Sequence, residues 1–214
     1  MQELIKNTST QRAGFLNSYE SALKYYRNET DITSRNDGKA KLNKDGKDDP
    51  LRHADNRVPS NFYQLLVDQE AGYVATVPPQ IDVGNEKYNE VISEVLGDDF
   101  ALTVNNLVID ASNAGVAWLH YWIDKDNNFR YAIIPPNQIT PIYSTTLDNK
   151  LLGVLRSYKQ LDSDTGKLFT VHEYWNDKEA TFFKQPTSDL DSLEPYDNIT
   201  SYDMSAGYET GVSN

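Results

Sequence analysis

Apolar residues recur at helical spacing through the first half of the chain and alternate with polar ones through the second. Over 11–27, Phe15, Leu16, Tyr19, Ala22, Leu23 and Tyr26 fall on one side of a predicted amphipathic helix. Thr8 or Ser9 would cap it, with the polar residues 1–10 loose ahead of it. A polar stretch, 28–57, is predicted as loop. The stretch 56–83 then predicts a short helix whose packing face is Phe62, Leu65, Leu66 and Tyr73. Ser60 or Asn61 would cap this helix, Gly72 would stop it, and Pro78-Pro79 would hold the exit extended. Two more helices follow. Tyr88, Val91, Ile92, Val95 and Leu96 mark 85–96, ended by Gly97. Phe100, Val104, Leu107, Val108 and Ala111 mark 98–114, closed by Gly115, with Asp98 and Asp99 complementing the helix dipole.

After Gly115 the period drops to two. Strands are predicted at 116–123 and 129–134, joined through Asp124–Asn128 as a hairpin. A short edge strand at 137–144 carries Pro141, and further strands lie at 151–161, 168–175 and 180–184. Turns rich in Asp, Asn and Gly separate them. The predicted class is therefore α+β: amphipathic helices followed by an antiparallel sheet of about five or six strands.

Composition narrows the chemistry. The 214 residues carry a net charge of −12, which excludes general electrostatic adhesion to nucleic acid and favours repulsion of DNA. Without cysteine there is no disulfide, thiolate metal site or cysteine nucleophile. Fourteen tyrosines suit either protein–protein contacts or half-exposed strands. Seven of the twenty basic residues fall in 28–57 (Arg35, Lys39, Lys41, Lys44, Lys47, Arg52 and Arg57); a solvated loop is the simpler reading, and an acidic partner the alternative. Segment 186–214 holds six acidic residues and no basic one, and is expected to be disordered or completed by something else.

Asp124-x-Asp126-x-Asn128 opens like a calcium loop, but Phe129 and Pro135 stand where Gly and Glu are needed, so it reads as a turn. His53, His120 and His172 are scattered, and no phosphate loop, zinc pattern or nucleophile elbow occurs. No catalytic, cofactor or metal site is expected, nor a membrane span.

The order of short phrases is more informative. Tyr25-Tyr26-Arg27 and Asp31-Ile32 come first, then Asn56–Tyr63, Leu66-Val67-Asp68, Gly72-Tyr73-Val74 and Pro78. Gly115–Tyr121, Pro135–Ile139, Pro141–Ser144 and Arg156-Ser157-Tyr158 follow. From about residue 18 to 175 this series resembles the N-terminal half of tailed-phage portal proteins, in the family typified by the Bacillus siphophage portal. The resemblance implies a homo-oligomeric ring, usually a dodecamer, at a capsid vertex of the virion, assembled in the host cytoplasm. Double-stranded DNA passes through its channel. The implied partners are the major capsid protein, scaffolding protein, terminase large subunit and a head-completion or adaptor protein. The matched part is similar to the wing, so the chain divides into a helix (1–27), a polar loop (28–57), a wing-like α+β domain (58–185) and the acidic segment (186–214). The structural and assembly residues so implied are Phe62, Leu65, Leu66, Gly72, Tyr73, Pro78, Trp118, Tyr121 and Tyr143. Leu66→Asp or Gly72→Val would then damage folding or assembly. The alternative from another class is a monomeric β-rich binding module of a bacterial surface or secreted protein.

Overall fold

The computed structural model describes residues 1–34, 45, 57–77, 79–124, 126–186, 188–196 and 201–203. Helix α1 spans Gln2–Tyr26, nine residues earlier than the apolar stripe implied. Ile5 is buried and seeds the extra turns. Thr8 and Ser9 are not caps, because their hydroxyls donate back to the Leu4 and Lys6 carbonyls inside the helix. Long-range bonds brace this added part: Arg12 donates to the Pro136 carbonyl at 2.7 Å, and Gln2 Nε2 to the Leu190 carbonyl at 3.0 Å.

Helices α2 (Phe62–Val74) and α4 (Phe100–Ala114) pack with α1 as a three-helix layer. Here the expected face of α2 is overturned. Phe62, Leu66 and Tyr73 are 68 %, 64 % and 87 % exposed, and Leu65 is also exposed, whereas Val67 and Ala71 are buried. Two stripes compete on this helix. The smaller one wins because an alanine at the contact lets α2 approach α4 closely, while Tyr63 still reaches Asn113 Oδ1 at 3.2 Å. Gly72 does not stop α2. It lies inside the helix, which runs to Val74 and is capped by Ala75. The run 73–77 is accordingly helix end and bend, not extended chain, and Pro78 lies outside the described residues. Tyr26 closes the layer by donating to Asp68 at 2.8 Å; burial, then that bond, push its phenol up to about 12.

Helix α3 (Glu86–Leu96) starts on Asn85, whose side chain accepts from the Tyr88 amide, and ends at Gly97 with φ 74°. Gly115, at φ 73°, closes α4 in the left-handed conformation expected of a glycine stop.

Strands β1 (Trp118–Ile123) and β2 (Phe129–Ile134) form the two-stranded hairpin. Its turn is organised by Asp124, which accepts from the amides of Asp126 and Asn128 and from Arg130 Nε at 2.8 Å. These bonds hold its carboxyl down to about 2 and make the segment a turn; among the described residues no carboxylate or histidine cluster could hold a metal. A second antiparallel sheet has the order β3 (Ile139–Tyr143), β4 (Leu151–Leu161), β5 (Leu168–Trp175), β6 (Glu179–Gln185) and β7 (Glu194–Pro195), with β8 (Ser201–Asp203) also on β6. The α+β class is as expected, and β3 sits at the sheet's end as Pro141 implied. The acidic segment expected to lack order supplies β7, β8 and a turn of 3-10 helix at Leu190–Ser192. Another 3-10 turn, Asp31–Ser34, falls in the predicted loop; of the seven basic residues there, only Arg57 is among those described. Leu155, Val171, Ala180 and Phe182 form the buried centre of the sheet.

Two glycines give opposite expectations. A methyl on Gly153 would stand 2.8 Å from both the Trp175 carbonyl oxygen and the Tyr174 hydroxyl, inside contact distance. Gly153→Ala is expected to cost about 1–3 kcal/mol through this overpacking. Gly72 meets nothing within 4 Å, so Gly72→Ala should stabilise α2 by about 0.5–1 kcal/mol. Urea unfolding of both variants checks the pair.

Candidate assembly surface

The side chains that carry polar chemistry serve the frame. The β4–β5 register sets Arg156 opposite Glu173 and Ser157 opposite His172, on alternate faces of the sheet. Glu173 is buried, and its carboxylate accepts from Tyr158 Oη at 2.8 Å, Trp175 Nε1 at 3.2 Å and Arg156 Nη1 at 3.4 Å. Burial and then the Glu173 charge raise the Tyr158 phenol, keeping it a donor. Arg156 lies over the Tyr158 ring and donates its Nε to Gln138 Oε1 at 3.2 Å. On the hairpin, His120 packs between Trp122 and Trp175, with ring centroids 5.4 and 4.9 Å apart. The hairpin is thus docked on the sheet beside the buried ion pair.

On the other face His172 lies 2.8 Å from Ser157 Oγ by Nδ1 and 2.9 Å from Gln185 Oε1 by Nε2. A neutral imidazole satisfies both: Nε2–H donates to Gln185 and Nδ1 accepts the Ser157 hydroxyl. Burial holds His172 below its usual value, against the Gln185 bond. Burial does the same to His120, with Glu173 raising it and Arg156 lowering it. Ser157 and His172 therefore form a packed strand pair, and His53 lies outside the described residues.

Large apolar side chains are exposed along α2 and α3. Phe62, Leu65, Leu66, Tyr73 and Val74 of α2, Val77, Ile81 and Val83 beyond it, and Tyr88, Val91 and Val95 of α3 are all exposed. No residue of α3 is buried, although its apolar positions are those of a packing helix. So many exposed large apolar side chains along consecutive elements point to surfaces that another molecule covers. Of the residues singled out from sequence, Phe62, Leu65, Leu66 and Tyr73 share α2, and Tyr121 stands exposed on the hairpin, stacked 6.0 Å from Phe129. Trp118 and Tyr143 meet elsewhere: they line an approximately 320 Å³ cleft with Arg12 and Phe15, beside β3. The buried Glu173 cluster escaped the sequence reading, because a carboxylate in an alternating strand looks solvated until its cross-strand partner is known.

Comparison with known proteins places the chain in a family. The family described as "Phage portal protein, SPP1 Gp6-like" matches residues 5–205. The chain belongs to this phage portal family. Its relatives include the portal protein of Clostridium phage phiCD119, 39 % identical over 170 residues, covering 73 % of this chain and 37 % of that protein. The portal protein of Bacillus phage SPP1 is 29 % identical over 129 residues, or 58 % of this chain and 26 % of that protein. The chain thus spans roughly a third of the length of these two portal relatives at its matched positions.

Two outcomes test the division between frame and surface. Both histidines have folded pKa values below the ordinary 6.5, so the unfolded chain binds more protons as pH falls through that value. Their contribution is complete above about pH 6.5 and is lost below it, so the urea midpoint should fall between about pH 7 and about pH 5, less steeply in His172→Gln. Leu66→Asp should leave folding within about 0.5 kcal/mol of the parent, as exposed sites do, whereas Ala71→Asp should unfold the helical layer. Circular dichroism melts distinguish the two.

Proposed function

We propose that this chain forms the wing of a phage portal subunit, a structural component of the ring through which double-stranded DNA enters and leaves the capsid. The family match across residues 5–205 carries this reading. Three properties support it. The exposed apolar residues of α2 and α3 suit subunit contacts, in keeping with assembly roles for Phe62, Leu65, Leu66, Tyr73, Tyr121, Trp118 and Tyr143. The net charge of −12 disfavours adhesion between the wing and the DNA that passes through the ring. The polar clusters at Glu173 and His172 are spent on internal bonds, which fits a scaffold that works by shape.

In this role the wing holds neighbouring subunits in register and meets the major capsid and scaffolding proteins from outside. Terminase and the head-completion protein dock on the same ring, which becomes part of the virion at one vertex. Mass photometry of the protein as its gene encodes it tests the reading. A single species of about a dozen copies is expected, since closed rings have one size. A monomer persisting at high concentration would overturn the ring.

A further inference from the structure

The cleft between α1 and β3 holds a cation that the chain does not neutralise. Arg12 and Phe15 reach it from α1, three residues apart and so on one side of the helix. Strand β3 lines it with Pro141 and Tyr143, and β1 with Trp118. Arg12 is half-buried there. Its Nη2 donates to the carbonyl of the fully buried Pro136 at 2.7 Å, which fixes the guanidinium in place. That bond uses one of five N–H donors. Among the described residues no carboxylate pairs with Arg12, and burial alone shifts it, downward. Two other arginines behave differently: Arg130 pairs with Asp124, and Arg156 with Glu173. A charge drawn partly out of water without a counter-charge is costly, and an arriving carboxylate offsets that cost.

We infer that this cleft docks a segment of a partner protein that presents a carboxylate beside an aromatic or large aliphatic side chain. The inference stands on the cleft and not on the ring reading. Charge selects the anion. Arg12 is the one charged residue among the described lining, so it matches a single carboxylate, which its planar fork can hold by two parallel N–H bonds. A nucleic-acid backbone needs several cations, and the net charge of −12 repels it. The walls select what the carboxylate is attached to. Phe15, Trp118 and Tyr143 are aromatic, and the Arg12 guanidinium lies only 5.8 Å from the Phe15 ring centroid. The carboxylate and its apolar neighbour must therefore be close together in the ligand. Volume selects a small anchor: approximately 320 Å³ is near the lower end of ligand sites, about 300 Å³, and takes side chains instead of a whole helix. Pro141 has no amide proton to offer, so the segment is gripped by its side chains and does not extend the sheet.

The probe is a fluorescein-labelled hexapeptide with an Asp-Phe pair among glycines and serines, and its anisotropy with the full-length chain reads binding. Replacing the pair by Asn-Phe or Asp-Ala should weaken binding about tenfold or more, the factor that loss of a charge-assisted hydrogen bond or a buried ring brings. Arg12→Met should weaken the Asp-Phe peptide to the same extent. Lys24→Met removes the same charge elsewhere on α1 and should leave the affinity unchanged. Tyr143→Ala, which does not touch the Arg12–Pro136 bond, should also weaken binding; circular dichroism checks every variant. If Arg12→Met fails to fold, the peptide series and Tyr143→Ala decide. With benzoylphenylalanine in place of phenylalanine, light should attach the peptide to fragments carrying Phe15, Trp118 or Tyr143. Equal affinity for the Asp-Phe and Asn-Phe peptides, unchanged affinity in folded Arg12→Met, or adducts found only elsewhere overturn the site. Formate that competes as well as unlabelled peptide reduces the cleft to a small-anion site and overturns the docking. Binding that disappears as the chain is concentrated puts a second copy in the cleft and overturns it too.

Discussion

The burial of one carboxylate constrains much of this molecule. Glu173 is removed from water, and desolvating a charge costs several kcal/mol unless the charge is paired and hydrogen-bonded. Three donors from two strands meet that need. Each has consequences of its own. Tyr158 and Arg156 lie on β4, so satisfying Glu173 fixes the β4–β5 register. A slip by one residue would send Arg156 and Tyr158 to the face opposite Glu173 and leave the charge without its ion-pair partner. Trp175 offers its indole N–H to Glu173 and its ring to His120, which ties the hairpin to the same point. Arg156 reaches on to Gln138, in the 3-10 turn Pro136–Gln138 that leads from hairpin to sheet. A single electrostatic requirement thereby aligns two sheets and their connection.

Such a centre explains why the outward surface can be so apolar without costing the fold. The helical layer is closed by small and mid-sized contacts, Val67 and Ala71 against α4, with tyrosine hydroxyls bridging to Asp68 and Asn113. The largest apolar side chains of α2 are left free for contacts beyond the chain.

Much of the architecture was legible in the sequence. Alternation located β1 to β6, and Gly97 and Gly115 ended α3 and α4 where a left-handed residue was needed. The order of short phrases pointed to the family. Three features were not legible, each for a physical reason. The start of α1 has Ile5 as its one buried residue, and it is held by Gln2 and Arg12, whose partners lie over a hundred residues away. On α2 two stripes had helical spacing, and only proximity to α4 chooses the one containing Ala71. Glu173 resembled a solvated strand residue, because nothing local reveals that Arg156 stands opposite. Side-chain contacts across strands and helices are what periodicity alone leaves unspecified.

The position of Pro141 has a further consequence. Strand β3 ends the described sheet, and an unprotected edge is a template on which another chain can add a strand. A proline there lacks the amide proton that a continuous ladder requires. When many copies are brought together at one place, backbone pairing between them could in principle continue without limit. Blunting this edge leaves association to side chains, whose shapes match at one angle. The same residue that makes β3 a poor strand therefore helps keep crowded copies countable, so that they can form a finite object and not a fibre.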